Sequence, residues 1–172
     1  MINIKISNVD KVIRQLENYK KTLKRKQKLL LKKLAEIGIN IATTRFVSAQ
    51  YDGMNDVVVN SVPEWIGENK IAISAVGNSV LFIEFGTGVY HPETHPKANE
   101  LGFPRGVFGQ GKGSHDSWTY YGEAGSSGEL VRKSDKGDVM RTHGNPPARA
   151  MYDAAEEMKE KVLTIAKEVF GS

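Results

Sequence analysis

Apolar side chains recur every seven residues at Val9, Leu16, Leu23, Leu30 and Ile37, with Ile13, Leu34 and Ile41 in a companion row that Lys20 and Gln27 interrupt. The spacing predicts one amphipathic helix running to about Phe46, nearly 40 residues and about 55 Å at the usual helical rise. Such a helix is long for a globular domain, so it is expected to bend near Gly38 or to project beyond the body. A heptad row of this length also suits a coiled coil, although Lys20 and Gln27 break its seam. Ahead of it, Ile2, Ile4 and Ile6 alternate with polar residues as in a short half-buried strand, and Asn8 or Asp10 can cap the helix.

After a turn signal at Asp52-Gly53, the stretches Val57–Val62, Lys70–Val76 and Val80–Phe85 read as three strands joined by short turns, an antiparallel meander. The last is a nearly continuous apolar run, VLFIEF, closed by Gly86 and Gly88. As a strand it puts Leu81, Ile83 and Phe85 on one side and Val80, Phe82 and Glu84 on the other. Glu84 is then expected at an edge facing water, or paired with a basic group such as Arg141 or Arg149, because an unpaired buried carboxylate is costly.

Residues 86–145 differ in kind, with 12 of the 17 glycines and all four histidines. Within them Asp116–Tyr121 and Glu129–Lys133 are expected to pair as an exposed hairpin. Trp118, Tyr120 and Tyr121 would then serve either as interface anchors or as core packing. The chain closes on a second helix, with Asn145 as its cap and Pro146-Pro147 in its first turn. Met151, Ala154, Met158, Val162, Ile165 and Val169 mark its inner face, and Gly171 ends it. The expected fold class is α+β in one domain: a long basic helix over 1–50, antiparallel strands over 56–86, an extended loop or hairpin over 87–145 and a C-terminal helix over 146–170.

Composition adds the chemistry that is excluded. The chain has no cysteine, so disulfides, thiolate metal ligands and cysteine nucleophiles are ruled out. No apolar segment reaches signal-peptide or membrane-spanning length, and a soluble protein made in a reducing compartment is expected. The net charge of +4 is uneven, since residues 20–33 carry eight Lys or Arg and no acid. Elsewhere sixteen basic residues stand against twenty acidic ones. Lys21, Lys24, Arg25, Lys28 and Lys32 fall on one helical face, which is a solvated surface, an acidic-partner contact or a sequence-neutral contact with nucleic acid. No aromatic residues interleave with them, so base stacking is not indicated.

Three candidate chemistries lack support. Gly106–Lys112 reproduces most of a phosphate-binding loop, but Gly113 stands where a magnesium-binding Ser or Thr belongs. His91, His95, His115 and His143 are enough ligands for zinc, yet Pro92 and Pro96 deny the first two a shared helical face. No nucleophile elbow or catalytic carboxylate pair stands out. No enzyme activity, metal or cofactor is expected.

Three segments carry a resemblance: IEFGTG at Ile83–Gly88, HPKANELGF at His95–Phe103 with WTYYG at Trp118–Gly122 after it, and THGNPPARAMYDAAEEM at Thr142–Met158. In this order the chain resembles, over nearly its full length, the head–tail joining, neck or tail-completion proteins of tailed phages and prophages. Glu84, Gly86, Thr87 and Gly88 match the motif at the end of the expected strand. Thr142, Gly144 and Pro146 match the motif before the last helix. Ala148-Arg149-Ala150 departs from a common Pro-Phe pair, and the run Arg105–His115 is longer than usual. The resemblance implies a non-enzymatic virion component, assembled in the host cytoplasm as a homo-oligomeric ring between the head-side connector and the tail tube. The alternative is a sequence-neutral nucleic-acid-binding protein that uses the basic helix.

Overall fold

The computed structural model describes residues 8–49, 56–103, 105, 116–122 and 128–171. The expected strand at 1–7 and the turn at Asp52-Gly53 lie outside these, as do the whole phosphate-loop-like run Gly106–Lys112 and His115. The fold is α+β, a long N-terminal helix packed on a C-terminal helix with small antiparallel sheets.

The heptad reading holds for α1, which spans Val9–Ser48 without a break. Asn8 stands at its cap position with a left-handed backbone and makes no side-chain capping bond, so Asp10 in the first turn is the acid facing the free amides. The C-terminal helix, α4, spans Ala150–Phe170 and runs antiparallel to α1, tied by Arg45–Asp153 at 3.0 Å near one end and Lys33–Glu168 at 3.2 Å near the other. Small residues set the approach. Ala42, Ala150 and Ala154 are almost wholly buried beside Phe46 and Ile83, while Leu34, Ile165 and Val169 form a second cluster with Leu30 and Ile37 against it. Gly38 belongs to this packing. A Cβ there would come within 2.5 Å of Ile73 Cδ1 and 2.6 Å of Met158 Sδ, so the glycine admits neighbours into contact with the helix.

Between the helices the expected meander is only partly present. Residues 58–76 form one irregular antiparallel hairpin: β1 (Val58–Val59) pairs with β4 (Ala75–Val76), and β2 (Glu64–Trp65) pairs with β3 (Ile71–Ala72). Pro63, which has no N–H to donate, sits where the ladder is interrupted. The third expected strand is a helix instead. Val80–Phe85 forms the six-residue α2. Two local features favour the helical choice. The Asp56 carboxylate accepts the amides of Asn78 (2.6 Å) and Ser79 (3.0 Å) in the turn ahead of it. At its far end Gly86 takes a positive φ of 77° and leads the chain away. Hydrogen bonds from the Ser79 side chain and the Asn78 amide also hold the Asp56 carboxyl below its usual range. Ile83 and Phe85 are buried as expected, but Leu81 is exposed because helical geometry turns it off the shared side.

Beyond α2 come a 3-10 turn at Pro92–Thr94 and the one-turn α3 at Ala98–Leu101. A three-stranded sheet follows, made of β5 (Trp118–Tyr121), β6 (Glu129–Arg132) and β7 (Val139–Thr142). Its order is β5-β7-β6, which corrects the expected hairpin: β5 and β6 do not pair with each other, and β7 lies between them. The α4 start is corrected too. It begins at Ala150, and Asn145 and both prolines belong to the approach.

Substituting Gly38→Val is expected to lower stability by about 1–3 kcal/mol through overpacking. Gly38→Ala should be near neutral, because its clashes are with the ends of flexible side chains and alanine regains about 1 kcal/mol of helix propensity. Urea denaturation of both variants measures the difference.

Candidate functional site

The residues of the two quoted motifs, far apart in sequence, meet in one place. Glu84 lies in the last turn of α2 with only 6% of its surface exposed. Its Oε2 accepts the Met151 amide at 2.7 Å and its Oε1 the Tyr152 amide at 2.9 Å. These are first-turn N–H groups of α4, which no preceding carbonyl can reach. The expected cap is absent: Arg149 occupies the cap position in left-handed geometry, with φ 53° and no side-chain capping bond. Glu84 therefore caps α4 from another element, and its negative charge sits at the positive end of a 21-residue helix. The expected ion pair with Arg141 or Arg149 is not formed: the Arg149 side chain lies 3.9 Å from Asp153, and Arg141 is exposed on β7.

A third donor comes from His95, which is 3% exposed. Its Nδ1 accepts the Lys97 amide at 3.1 Å, which leaves the ring proton on Nε2, 3.3 Å from Glu84 Oε1. This assignment makes His95 a neutral donor to the carboxylate. Aromatic rings close the site. Phe85 lies 4.4 Å from the His95 ring and stacks on Phe103 at 4.0 Å, and Tyr152 meets His95 edge-on at 5.4 Å.

Around this carboxylate the two chain segments run backbone to backbone. The Ala148 and Arg149 amides donate to the Ile83 and Glu84 carbonyls, which satisfies the end of α2. Thr87 donates its amide to the Asn145 carbonyl at 2.9 Å, and its Oγ1 accepts the Asn145 amide at 2.9 Å. The Thr142 hydroxyl oxygen accepts the Gly144 amide at 3.0 Å. At Gly88 and Gly144 φ is 92° and 95°. A Cβ on either would lie 2.2 Å from a carbonyl oxygen of the opposite segment, His143 or Thr87 respectively. A Cβ on Gly86 would lie 2.5 Å from the Asn145 carbonyl oxygen and 2.9 Å from the Pro146 carbonyl carbon. Glu84, Gly86, Thr87, Gly88, Thr142, Gly144 and Pro146 thus form one joint. It is a sealed clamp of hydrogen bonds and close backbone contacts, with chemistry suited to holding β7 and α4 in place.

The joint carries the β5-β7-β6 sheet, where strand register sorts the candidate anchors. Trp118 and Tyr120 lie opposite Thr142 and Met140, and Leu130 flanks Met140 from the other side. These five side chains share one face. Met140 is buried at its centre, while Trp118 is 44% exposed. Tyr121, 63% exposed, projects from the opposite face beside Val139. The three aromatics therefore do not act as one patch.

The basic row stays on the surface of α1, and part of its charge is already engaged. Lys24 bonds Glu68 at 3.1 Å, Lys28 lies 5.8 Å from the centre of the Trp65 ring, and Lys32 is 3.9 Å from Glu36. The Lys24 hydrogen bond and charge hold the Glu68 carboxyl below its usual range. Lys21 and Arg25 are exposed. Among the described residues no three His, Asp or Glu side chains gather as a metal site. His95 serves Glu84, and His143 Nδ1 lies 3.1 Å from the Asp116 carbonyl oxygen. An apolar groove of about 410 Å³ between α1, α4 and β3 is lined by residues such as Leu31, Ile73, Met158 and Val162, with Lys159 the only charged side chain among the described residues that line it.

His95, Phe103 and Tyr152 complete the joint without having been singled out for it by sequence. The HPKANELGF segment carried two of them, but nothing in its spacing linked His95 to a glutamate eleven residues earlier. Glu84→Ala is expected to cost about 2–4 kcal/mol, since two part-buried helix amides and the buried His95 N–H lose their acceptor. Glu84→Gln should cost less, about 1–3 kcal/mol, for the weaker neutral acceptor. Gly144→Ala is expected to destabilise by about 2 kcal/mol or more from strain and overlap. Chemical denaturation, with far-UV circular dichroism to follow α4, measures each.

No helix among the described residues is long and apolar enough to cross a membrane. No protein-family profile, curated protein or solved structure matches the chain.

Proposed function

We propose that this protein is a non-enzymatic joining component of a phage or prophage virion, a neck or tail-completion subunit that forms a ring between the head-side connector and the tail tube. The observation that carries the reading is the joint itself. The motif residues on which the resemblance rests are the ones that meet between α2, β7 and α4, so the two motifs behave as one structural unit. A buried clamp of this kind holds a surface in place and offers no substrate a way in. The surface it holds is the β5-β7-β6 sheet, whose Trp118, Tyr120 and Leu130 face presents aromatic and aliphatic area of the kind found at protein interfaces. A ring needs heterologous contacts, in which this face of one subunit meets a different patch on the next. On this reading the protein is assembled in the host cytoplasm and carried in the virion, with no cofactor.

The basic row supports a second reading, sequence-neutral contact with DNA, through the exposed Lys21 and Arg25. It is the weaker one, because Lys24, Lys28 and Lys32 already have partners within the chain.

Mass measurement in solution, alone and with the connector and tail-tube proteins of the same phage or prophage, tests the first reading. Co-assembly is expected, and Trp118→Ala should weaken it about tenfold or more while leaving the fold intact. A chain with affinity for neither partner overturns it. For the DNA reading, duplex binding should fall steeply with salt and be lost when Lys21, Lys24, Arg25 and Lys28 are replaced by Gln.

A further inference from the structure

The β5-β7-β6 sheet ends on two unlike edges, and its register fixes which main-chain groups of β5 are used inside it. Gly122 donates its amide to the Asp138 carbonyl at 3.0 Å, so by antiparallel alternation Tyr120 bonds Met140 and Trp118 bonds Thr142. The N–H and C=O of Thr119 and Tyr121 therefore point away from β7, and both residues are exposed. No other strand lies along them among the described residues. The stretch 117–122, SWTYYG, has neither charge nor proline, the usual guards of such an edge. The opposite edge has guards. β6 carries Glu129 and Arg132, and a register shift between Leu130 and Arg132 breaks its ladder.

We propose that the β5 edge pairs with β5 of a second copy of this chain, antiparallel across a two-fold axis at Tyr120, so that one sheet runs through both copies. Three features select this occupant. The open groups complement themselves: in this register Thr119 faces the partner's Tyr121, and each N–H meets the C=O opposite. Tyr120 meets the partner's Tyr120 across the axis, on the face that Trp118 shares, and aromatic neighbours of this kind are favourable cross-strand pairs. Charge permits the approach and sets its direction. Over residues 116–142 five acidic residues stand against four basic ones, so two sheets meet with little net repulsion. Antiparallel pairing puts the two copies of Asp116 at opposite ends of the joined strands, whereas parallel pairing sets them side by side.

One short strand per copy buries less than the roughly 800 Å² per partner of a standard interface. The pair is accordingly concentration-dependent, with dissociation on the order of micromolar or weaker. The contact is isologous and uses a strand edge, so it leaves the Trp118, Tyr120 and Leu130 face open and does not rest on the joining function.

The chain has no cysteine, so an introduced one reports its own contact. Tyr120→Cys and Leu130→Cys, which flank Met140 from the two edge strands, are made as separate full-length variants and oxidised at equal concentration. Position 120 lies on the axis as a non-hydrogen-bonded pair, a spacing that suits a disulfide. A covalent dimer is expected at least tenfold faster there than at 130. Equal cross-linking at the two positions, or none at 120, overturns the proposal. Two charge variants give a second measurement, with far-UV circular dichroism as the check on folding. Thr119→Lys with Tyr121→Lys sets lysine opposite lysine across the axis, whereas Thr119→Glu with Tyr121→Lys sets glutamate opposite lysine. Sedimentation equilibrium should show a monomer–dimer equilibrium for the unmodified chain, at least tenfold weaker association for the first variant, and recovery in the second. A monomer throughout, or the same association in both variants, refutes it.

Discussion

One carboxylate governs how the second half of this chain is arranged. The α4 helix starts after a segment with two prolines and a left-handed arginine, so no neighbouring side chain reaches its free amides. Glu84 supplies the acceptor from α2, and burial makes the arrangement exacting. A charge removed from water must have its oxygens occupied, and two helix amides with a histidine N–H occupy them. The bond fixes α2 against α4, and α4 in turn lies along α1. Removing the carboxylate would leave helix, histidine and aromatic rings without the feature that aligns them.

The glycines beside Glu84 extend the same constraint to the sheet. Gly86, Gly88 and Gly144 allow two backbones to pass closer than any side chain would permit, and hydrogen bonds through Thr87 hold them there. Because β7 leads directly into this joint, the sheet inherits its position from the joint, with little contact from the helical layer. A rigid hinge of this design suits a protein whose exposed faces must meet other subunits in set orientations. It gives the joining role we propose a physical basis.

The long helix plays the opposite part. Over residues 30–46 it is a core element, packed by α4 and the 58–76 hairpin; over residues 9–23 it is an open seam. A single periodic pattern is thus packed over one part of its length and exposed over the other. Lys24, Lys28 and Trp65 mark the boundary, where the hairpin tip leans on the helix through a salt bridge and a cation–π contact.

The amino-acid sequence by itself determined the two long helices and the α+β class, since periodic apolar rows over twenty to forty residues leave little choice of structure. The resemblance singled out Glu84 with its glycines and the Thr142–Pro146 segment as two separate motifs, and nothing in the residues linked one to the other. What only tertiary structure decided was how the short elements resolve. Val80–Phe85 holds too few residues for its period to tell strand from helix, and the Asp56 turn and the distant amides of 148–149 settled it as helix. β7 is four residues long and acquires its place between β5 and β6 only through cross-strand partners. The partners of Glu84 were hidden for a related reason: backbone amides carry no side-chain signature, so a helix end waiting for a cap sixty-seven residues away leaves no trace in residue types.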